Sequence, residues 1–310
     1  MSRRHWLPLL LLAGVIAVLP LVIPNRFYYD LAIKAMLNAL VCVGLNLMIG
    51  YAGQISLGHA AFFAIGAYAS ALFAGNFGWP PALALVAGAA IAAGVAFVVG
   101  RPILRLRGHY LAMATLGFGV ILYTVFMRET GLTGGPDGRS VVAFALGPLR
   151  FAKPEQCYWL VGAALLAGVA VAGQLIDSAF GRALRGIHGA ETAVAAAGVD
   201  VAAIKLRVFM LSAVYAAVAG SLFAHAEQFV TPSEAGFMRS IELVTMVVFG
   251  GMASTFGAIV GAVSLTALGQ VSANFSDYRH IAFGAILMLT MTLLPAGLVP
   301  TLARALRGKR

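Results

Sequence analysis

Residues 81–99 read PALALVAGAAIAAGVAFVV, nineteen residues without a charged side chain. A helix needs about 20 mostly apolar residues to cross a bilayer core of about 30 Å, so this stretch has the length and composition of a transmembrane helix. Similar runs recur from Trp6 to Pro300. The chain is 61% hydrophobic and 10% charged, with a mean hydropathy of +0.93, whereas soluble domains are roughly one quarter charged. A water-soluble globule is excluded, and a polytopic helical membrane protein is predicted.

The apolar runs predict an all-α transmembrane bundle that forms a single domain over residues 1–310. About eight full spans are expected, or 8 to 10 helices when a short hairpin or re-entrant segment is included. The first run lacks a small-residue cleavage site, so it is interpreted as an uncleaved span. The predicted spans are 6–24, 31–49, 55–75, 81–99, 110–127, 158–176, 206–229 and 280–299.

Basic residues set the predicted orientation. The chain has 21 Lys and Arg against 11 Asp and Glu, a net charge of +10. These charges lie in loops and tails, so the excess of cytoplasmic Lys and Arg in membrane proteins explains them and no nucleic-acid partner is expected. Both termini are predicted to be cytoplasmic. Residues 128–157 then form an external loop and residues 177–205 an internal one.

The stretch 241–272 does not fit a single crossing. Its 32 residues are too long for one upright span, and one crossing would place the basic carboxyl-terminal tail outside. A hairpin of short or re-entrant helices returns the tail to the cytoplasm. Gly250 and Gly251 are the predicted break and a candidate gate, because irregular backbone at membrane depth needs protein or water around it. The alternative is that these small residues only allow close helix packing.

The sequence offers little catalytic chemistry. It contains no phosphate-binding G-x-x-x-x-G-K-[ST] loop, and no H-E-x-x-H, C-x-x-C or G-x-S-x-G motif. Cys42 and Cys157 are too few and too dissimilar for a disulfide framework or a metal site. Charged residues fall near the ends of predicted spans, and Glu242 is interpreted in this way. An enzyme is therefore not expected, and the chain lacks an energy source of its own for transport.

Four polar residues are candidates for lining a substrate pathway. Residues 50–68 read GYAGQISLGHAAFFAIGAY and place Gln54, Ser56 and His59 at the start of a span. Thr115 lies in the span that follows residues 107–109. Polar side chains that open toward a cavity can hydrogen-bond a solute. The alternative is a helix-packing face with a polar cap, in which each side chain serves structure only.

The internal loop predicts an amphipathic helix. Leu184, Ile187, Ala190, Val194 and Ala197 share one face at helical spacing, and the opposite face carries Arg182, Arg185, His188 and Thr192. Two glycines weaken this helix by roughly 1 kcal/mol each, so a partner groove is expected to stabilise it. A helix that rests on anionic membrane lipid is the alternative.

Five stretches in order resemble the LivM-type permeases of branched-chain amino acid ABC importers, and the resemblance covers most of the chain. They are Gly50–Tyr68, Leu106–Leu116, Leu132–Gly138, Gly181–Arg185 with Gly198, and Val248–Met252. The resemblance implies a subunit of the bacterial inner membrane that pairs with a second, LivH-like permease. It also implies a periplasmic substrate-binding protein and two cytoplasmic ATPases, which would bind ATP and Mg²⁺, so that this chain needs no cofactor.

The resemblance assigns the internal helix to ATPase coupling. The residues so assigned are Arg182, Leu184, Arg185, Ile187, Glu191 and Gly198. The family segment usually reads Ala-Ile-Arg-Glu-(Asn or Asp)-Glu, whereas residues 186–191 read GIHGAE, so only Ile187 and Glu191 match. Leucine, isoleucine and valine are the implied substrates, and related permeases serve urea, short amides or other amino acids.

A different functional class remains open from the residues alone. A self-sufficient channel or secondary carrier for a small solute such as urea or an amide would pass solute without partner chains. The shortage of charge inside the predicted spans argues against an ion-coupled carrier but not against a channel.

Overall fold

A computed structural model of the chain describes residues 3–22, 25–106, 108–147 and 149–271, together with 284–285, 288–289, 292 and 297–301. Most of the predicted last span, 280–299, lies outside the described residues. Arg107 and the basic tail beyond residue 301 lie outside them as well.

The fold is a bundle of α-helices, as the apolar runs predict. Its helices are α1 Arg3–Val22, α2 Arg26–Asn46, α3 His59–Gly75, α4 Pro81–Ile103, α5 His109–Arg128, α6 Thr130–Thr133, α7 Pro154–Asp177, α8 Ala179–Ala196, α9 Val201–Glu227, α10 Phe237–Gly250 and α11 Thr255–Val271. A π-helical turn, Leu47–Tyr51, extends α2. Short 3₁₀ turns cover Gly135–Asp137 and Pro232–Ala235.

Five helices in the described ranges are long and apolar enough to cross a membrane: Arg26–Tyr51, Pro81–Ile103, His109–Arg128, Pro154–Asp177 and Val201–Glu227. Shorter apolar stretches accompany them at Leu9–Leu21, His59–Gly75 and Thr255–Gln270. The chain is therefore a multi-pass membrane protein. The predicted span 55–75 begins four residues late, because residues 55–58 are irregular.

Helices α2, α3 and α9 form the centre of the bundle. Glycines let α3 and α9 touch, since a Cβ built at Gly66 would overlap the carbonyl of Ala217 and one at Gly220 would overlap the carbonyl of Phe63. Such backbone approach through small residues is how membrane helices gain packing energy without a hydrophobic effect between them. Helices α4 and α5 lie outside this centre and are mostly exposed.

Residues 241–271 belong to two helices rather than one, as the sequence predicts for the stretch 241–272. Helix α10 ends at Gly250, Gly251 has φ +124°, and α11 begins at Thr255. A side chain at Gly250 would also overlap the backbone of Gly257 and Gly261. The break and the close packing therefore occur together at this glycine pair, and its role as a gate stays a prediction.

Four short strands lie at the end of the bundle opposite α8: β1 Arg139–Ser140, β2 Phe144–Leu146, β3 Leu149–Phe151 and β4 Phe229–Val230. Strand β1 pairs antiparallel with β4, and β2 with β3. The β1–β4 pair ties the predicted external loop to the end of α9. A ring nitrogen of His225 lies 2.7 Å from the carbonyl oxygen of Val142 and reinforces this tie.

Candidate functional site

His59 joins the irregular segment 52–58 to α9. Its Nδ1 lies 2.9 Å from Oγ of Ser56, and its Nε2 lies 2.7 Å from Oγ of Ser212. All three side chains are at most 1% exposed. Two predicted pathway residues, Ser56 and His59, therefore meet in a buried hydrogen-bonded chain that fixes the start of α3.

Thr115 fixes the same segment from the other side. Its Oγ1 accepts a hydrogen bond from the backbone N–H of Leu57 at 3.0 Å and donates one to the carbonyl of Ala112 at 2.9 Å. The approach is close, because a side chain at Gly58 would overlap the carbonyl of Thr115. Gln54 is 3% exposed, and its Oε1 has no hydrogen-bond partner among the described residues. The structure thus collects all four predicted residues on or against one segment, and pathway lining stays a prediction for each.

We expect His59→Ala to destabilise the folded chain by about 2–4 kcal/mol, because it opens a cavity and leaves two buried serine hydroxyls without their partner. Thermal unfolding of the detergent-purified chain measures the effect. The control is Thr124→Ala, whose hydroxyl bonds only to Val120 of its own exposed helix, and a change within about 0.5 kcal/mol is expected there. A native melting temperature for His59→Ala would contradict the packing role.

Two irregular segments enter the bundle between its helices: segment 52–58, and segment 228–236 beyond its strand β4. Segment 52–58 precedes His59, whose partner Ser212 is the twelfth of the 27 residues of α9. Segment 228–236 follows α9 and returns into the bundle, where Ala235 packs against Tyr68 near the middle of α3. Helix α10 therefore starts inside the bundle, and the backbone N–H of Ala60 donates to Oγ of its Ser240 at 3.3 Å.

We name the exposed parts of these segments, together with the first two residues of α10 beside them, the irregular face; its residues are Gly53, Ile55, Ser233, Glu234, Phe237 and Met238. Ile55 is 48% exposed and Met238 is 49% exposed. Non-helical backbone cannot face lipid tails, because its polar groups would find no hydrogen-bond partner there. The irregular face therefore requires another protein chain or a water-filled passage against it.

A charged cluster lies beside this face. Arg239 of α10 donates to Oδ1 of Asn38 at 2.6 Å and to Oε2 of Glu242 at 3.3 Å, and its Nε lies 3.6 Å from Oε2 of Glu234. Glu242 is 6% exposed and adjoins Leu243, whose carbonyl contacts Cys42 inside the span Arg26–Tyr51, so the prediction that it lies near a span end is wrong. Hydropathy does not mark the depth at which a short helix begins, and α10 begins inside the bundle.

The cluster has a sequence signal on α2, where polar residues recur every four positions: Asp30, Lys34, Asn38, Cys42 and Asn46. Residues four apart share a helix face. Asn38 donates to Thr266 of α11 at 2.9 Å, and the Cys42 thiol lies 3.7 Å from the carbonyl of Leu243. Oδ1 of Asn46 accepts from the backbone of Ala253 at 3.0 Å. This stripe therefore holds the α10–α11 hairpin along its length.

The predicted coupling residues lie on or beside α8, which begins after its N-cap Ser178. Leu184 and Ile187 are buried. Arg182 and Arg185 donate to carbonyls at the end of α7, those of Asp177 at 3.3 Å and Ile176 at 3.1 Å. Such cations offset the partial negative charge at a helix carboxyl terminus.

The second half of α8 departs from the predicted amphipathic pattern. The backbone turns at Ala190, with φ −157° and ψ 87°, so Ala190 and Ala197 are exposed although the spacing predicts them on the apolar face. Glu191 forms a 2.8 Å ion pair with Lys205 of α9. Gly198, with φ +82°, lies in the turn between α8 and α9.

His188 connects α8 to the interior of the bundle. Its Nδ1 lies 2.9 Å from the carbonyl oxygen of Gly50, at the π-helical end of α2. A side chain at Gly50 would overlap Asn46 and the backbone of Ala253 in the hairpin turn. Helix α8, for which coupling stays a prediction, the end of α2 and the candidate gate therefore meet around Gly50.

Comparison with known proteins agrees with this architecture. The family model described as "Branched-chain amino acid transport system / permease component" matches residues 27–294. The chain belongs to this family. The resemblance drawn from the five sequence stretches is thereby confirmed.

Its relatives in the family include the high-affinity branched-chain amino acid transport system permease protein LivM of Escherichia coli K12, 33% identical over 89% of this chain and 71% of LivM. LivH of the same strain is 24% identical over 84% of this chain and 90% of LivH. The fructose import permease protein FrcC of Rhizobium meliloti is 23% identical over 92% of this chain and 84% of FrcC. No solved structure matches the chain.

Proposed function

We propose that the chain is one of two permease subunits of a bacterial ABC importer for leucine, isoleucine and valine. The observation that carries the proposal is the irregular face. Its exposed non-helical backbone is incompatible with lipid and suits an interface with a second, LivH-like permease that encloses the substrate passage. The printed names of the LivM and LivH relatives support the substrate class.

Energy for transport would come from two cytoplasmic ATPases that bind ATP and Mg²⁺. The α8 helix is suited to dock with them, because it lies outside the spans and reaches Gly50 through His188. The exposed second half of α8 is the surface available for this helix-in-groove contact, because Leu184 and Ile187 pack inside this chain. The loop 128–157 would then lie on the periplasmic side, near a substrate-binding protein, with both termini in the cytoplasm.

Within this assembly the site would work by alternating access. ATP-driven closure of the ATPases would move α8, and the contact at Gly50 would pass that movement to the hairpin turn at Gly250 and Gly251. Segment 52–58, fixed by Ser56, His59 and Thr115, would move as one unit with α3. Binding of substrate in the passage would be weak, because tight binding would prevent release.

Co-purification tests the proposal. We expect the chain extracted in mild detergent to carry a second permease and two ATPases, and the complex in liposomes to import leucine only with ATP and a loaded binding protein. Fructose, the substrate named for FrcC, serves as the control solute and is not expected to be imported. A lone chain that passes urea or an amide without ATP would instead establish the channel alternative.

A further inference from the structure

Arg239 lies where two helices begin inside the bundle. Helix α3 starts at His59 and α10 at Phe237, and their first turns touch through Ala60 and Ser240. The guanidinium carbon of Arg239 is 5.7 Å from the ring centroid of Phe63, also near the start of α3. Helix amino termini carry partial positive charge, so two helix ends and the Arg239 cation act on the volume that also holds the carboxylates of Glu234 and Glu242.

Asn38 fixes the depth of this volume. It is the thirteenth of the 26 residues in the span Arg26–Tyr51, and Oδ1 of Asn38 is the nearest acceptor to the Arg239 guanidinium, at 2.6 Å. The charge is therefore about halfway along a crossing helix. Charged side chains at such depth are costly, face a protein interior or a water-filled cavity, and mark substrate paths in transporters.

The guanidinium is held loosely by its two carboxylates. The contacts to Glu242 and Glu234, at 3.3 and 3.6 Å, are longer than the 2.7–2.9 Å or so of a strong charge-assisted pair. Its Nε is buried and has no hydrogen-bond partner among the residues the structure describes. The side chain of Arg239 is 18% exposed and that of Glu234 is 23% exposed, so neither side chain is fully enclosed by this chain.

A polar path leads toward this point from the end of the bundle that carries the β-strands. Lys34, one turn before Asn38 on the same face of α2, forms a 3.3 Å ion pair with Glu227 at the end of α9, and both side chains are at least one third exposed. A zwitterion entering there would pass groups of both signs before it meets Arg239.

We propose that Arg239 binds the carboxylate of the transported amino acid while Glu234 receives its ammonium group. The identity of the ligand rests on the proposed function, whereas the requirement for a carboxylate rests on the geometry of the cluster. The guanidinium would exchange its long contact with Glu234 for a bidentate contact with the substrate, and it would stay paired with the buried Glu242. Arg239 and Glu234 would thus form a transient binding site in the passage, which the substrate would enter from the irregular face.

Thiol labelling of Met238→Cys in the assembled complex tests this proposal without requiring transport. The chain's own cysteines, Cys42 and Cys157, are both buried, so a polar maleimide should react with the introduced thiol. We expect about 10 mM leucine to slow labelling about threefold, a concentration chosen for a weak site. Leucinamide, which has the same side chain and no carboxylate, is expected to give no protection.

Variants of the arginine complete the experiment. Arg239→Gln should abolish protection by leucine, and Arg150→Gln, on the exposed strand β3, should retain it. If Arg239→Gln does not assemble, Arg239→Lys is tested in its place. The lysine ammonium is a point charge that cannot bind a carboxylate bidentately. This variant should therefore need about fivefold more leucine for the same protection of the thiol. The proposal would be overturned by any of three results: equal protection by leucinamide, protection that persists in Arg239→Gln, or an unchanged protective leucine concentration for Arg239→Lys.

The two proposals fail separately. A complex that is protected by leucine but does not import it would refute the proposed function and leave the carboxylate site standing. A complex that imports leucine with ATP but shows no protection would refute the carboxylate site alone.

Discussion

Gly220→Ala is expected to leave little correctly folded protein in the membrane. The added methyl group would overlap the carbonyl of Phe63, and a backbone carbonyl cannot rotate away as a side chain does. Helices α3 and α9 would have to separate along the whole contact that also includes Gly66. Overpacking of a core costs about 1–3 kcal/mol and more where nothing can yield, so we expect a loss of about 3 kcal/mol or greater.

The matched control is Gly173→Ala in α7. Gly173 is also a buried glycine inside a helix, but a Cβ built there meets no described atom within 4 Å. Replacing Gly by Ala in a helix gains about 1 kcal/mol where space allows, so this variant should be native or more stable. Size-exclusion profiles and thermal unfolding in detergent compare the two. A native melting temperature for Gly220→Ala would show that the α3–α9 contact is less rigid than the structure indicates.

His188→Ala is expected to separate ATP hydrolysis from transport. The variant removes the one side-chain hydrogen bond described between α8 and the end of α2, and α8 can still dock through its other residues. Coupling between distant sites is typically 1–3 kcal/mol, so leucine imported per ATP should fall about tenfold. Stability should fall by only about 1 kcal/mol, the net value of one hydrogen bond.

Two further variants identify the hydrogen bond as the cause. His188→Asn places an amide N–H close to the position of Nδ1 and should restore part of the coupling. His109→Ala, an exposed histidine at the start of α5, should leave the ratio unchanged. The measurement is leucine uptake and phosphate release in the same proteoliposomes. An unaltered ratio in His188→Ala would remove His188 from the coupling path and leave the contacts of Arg182 and Arg185 with α7 and of Glu191 with Lys205 as described connections.

The sequence predicted the helices well because the hydropathy of a span is the sum over consecutive residues and needs no knowledge of distant contacts. Each of the seven spans predicted before residue 241 corresponds to a helix. The start of α3 was missed, since residues 55–58 are nearly as apolar as those that follow. Thr115, distant in the chain, accepts a hydrogen bond from the backbone of Leu57, and Ser56 bonds to His59; hydropathy does not record such contacts.

The site was harder to predict than the fold, because its groups come from distant positions. Leu184 and Ile187 were correctly assigned to the inner face of α8, but the turn at Ala190 moved the later residues out of register. His188 was placed on the polar face, and its contact with Gly50, 138 residues away, leaves no local pattern. Arg239 has no sequence neighbour that reveals its depth, and the four-residue spacing of Lys34, Asn38 and Cys42 is a signal that no prediction used.

The pairing of β1 with β4 determines the order in which parts of this chain can fold. Arg139 pairs with Val230, 91 positions later, and helices α7, α8 and α9 lie between them. A chain made from its amino terminus exposes β1 long before its partner exists, and closing so long a loop early would cost conformational entropy with little return. The two strands can therefore join only after α7 and α9 have been inserted, so their pairing reports that this half of the bundle is complete.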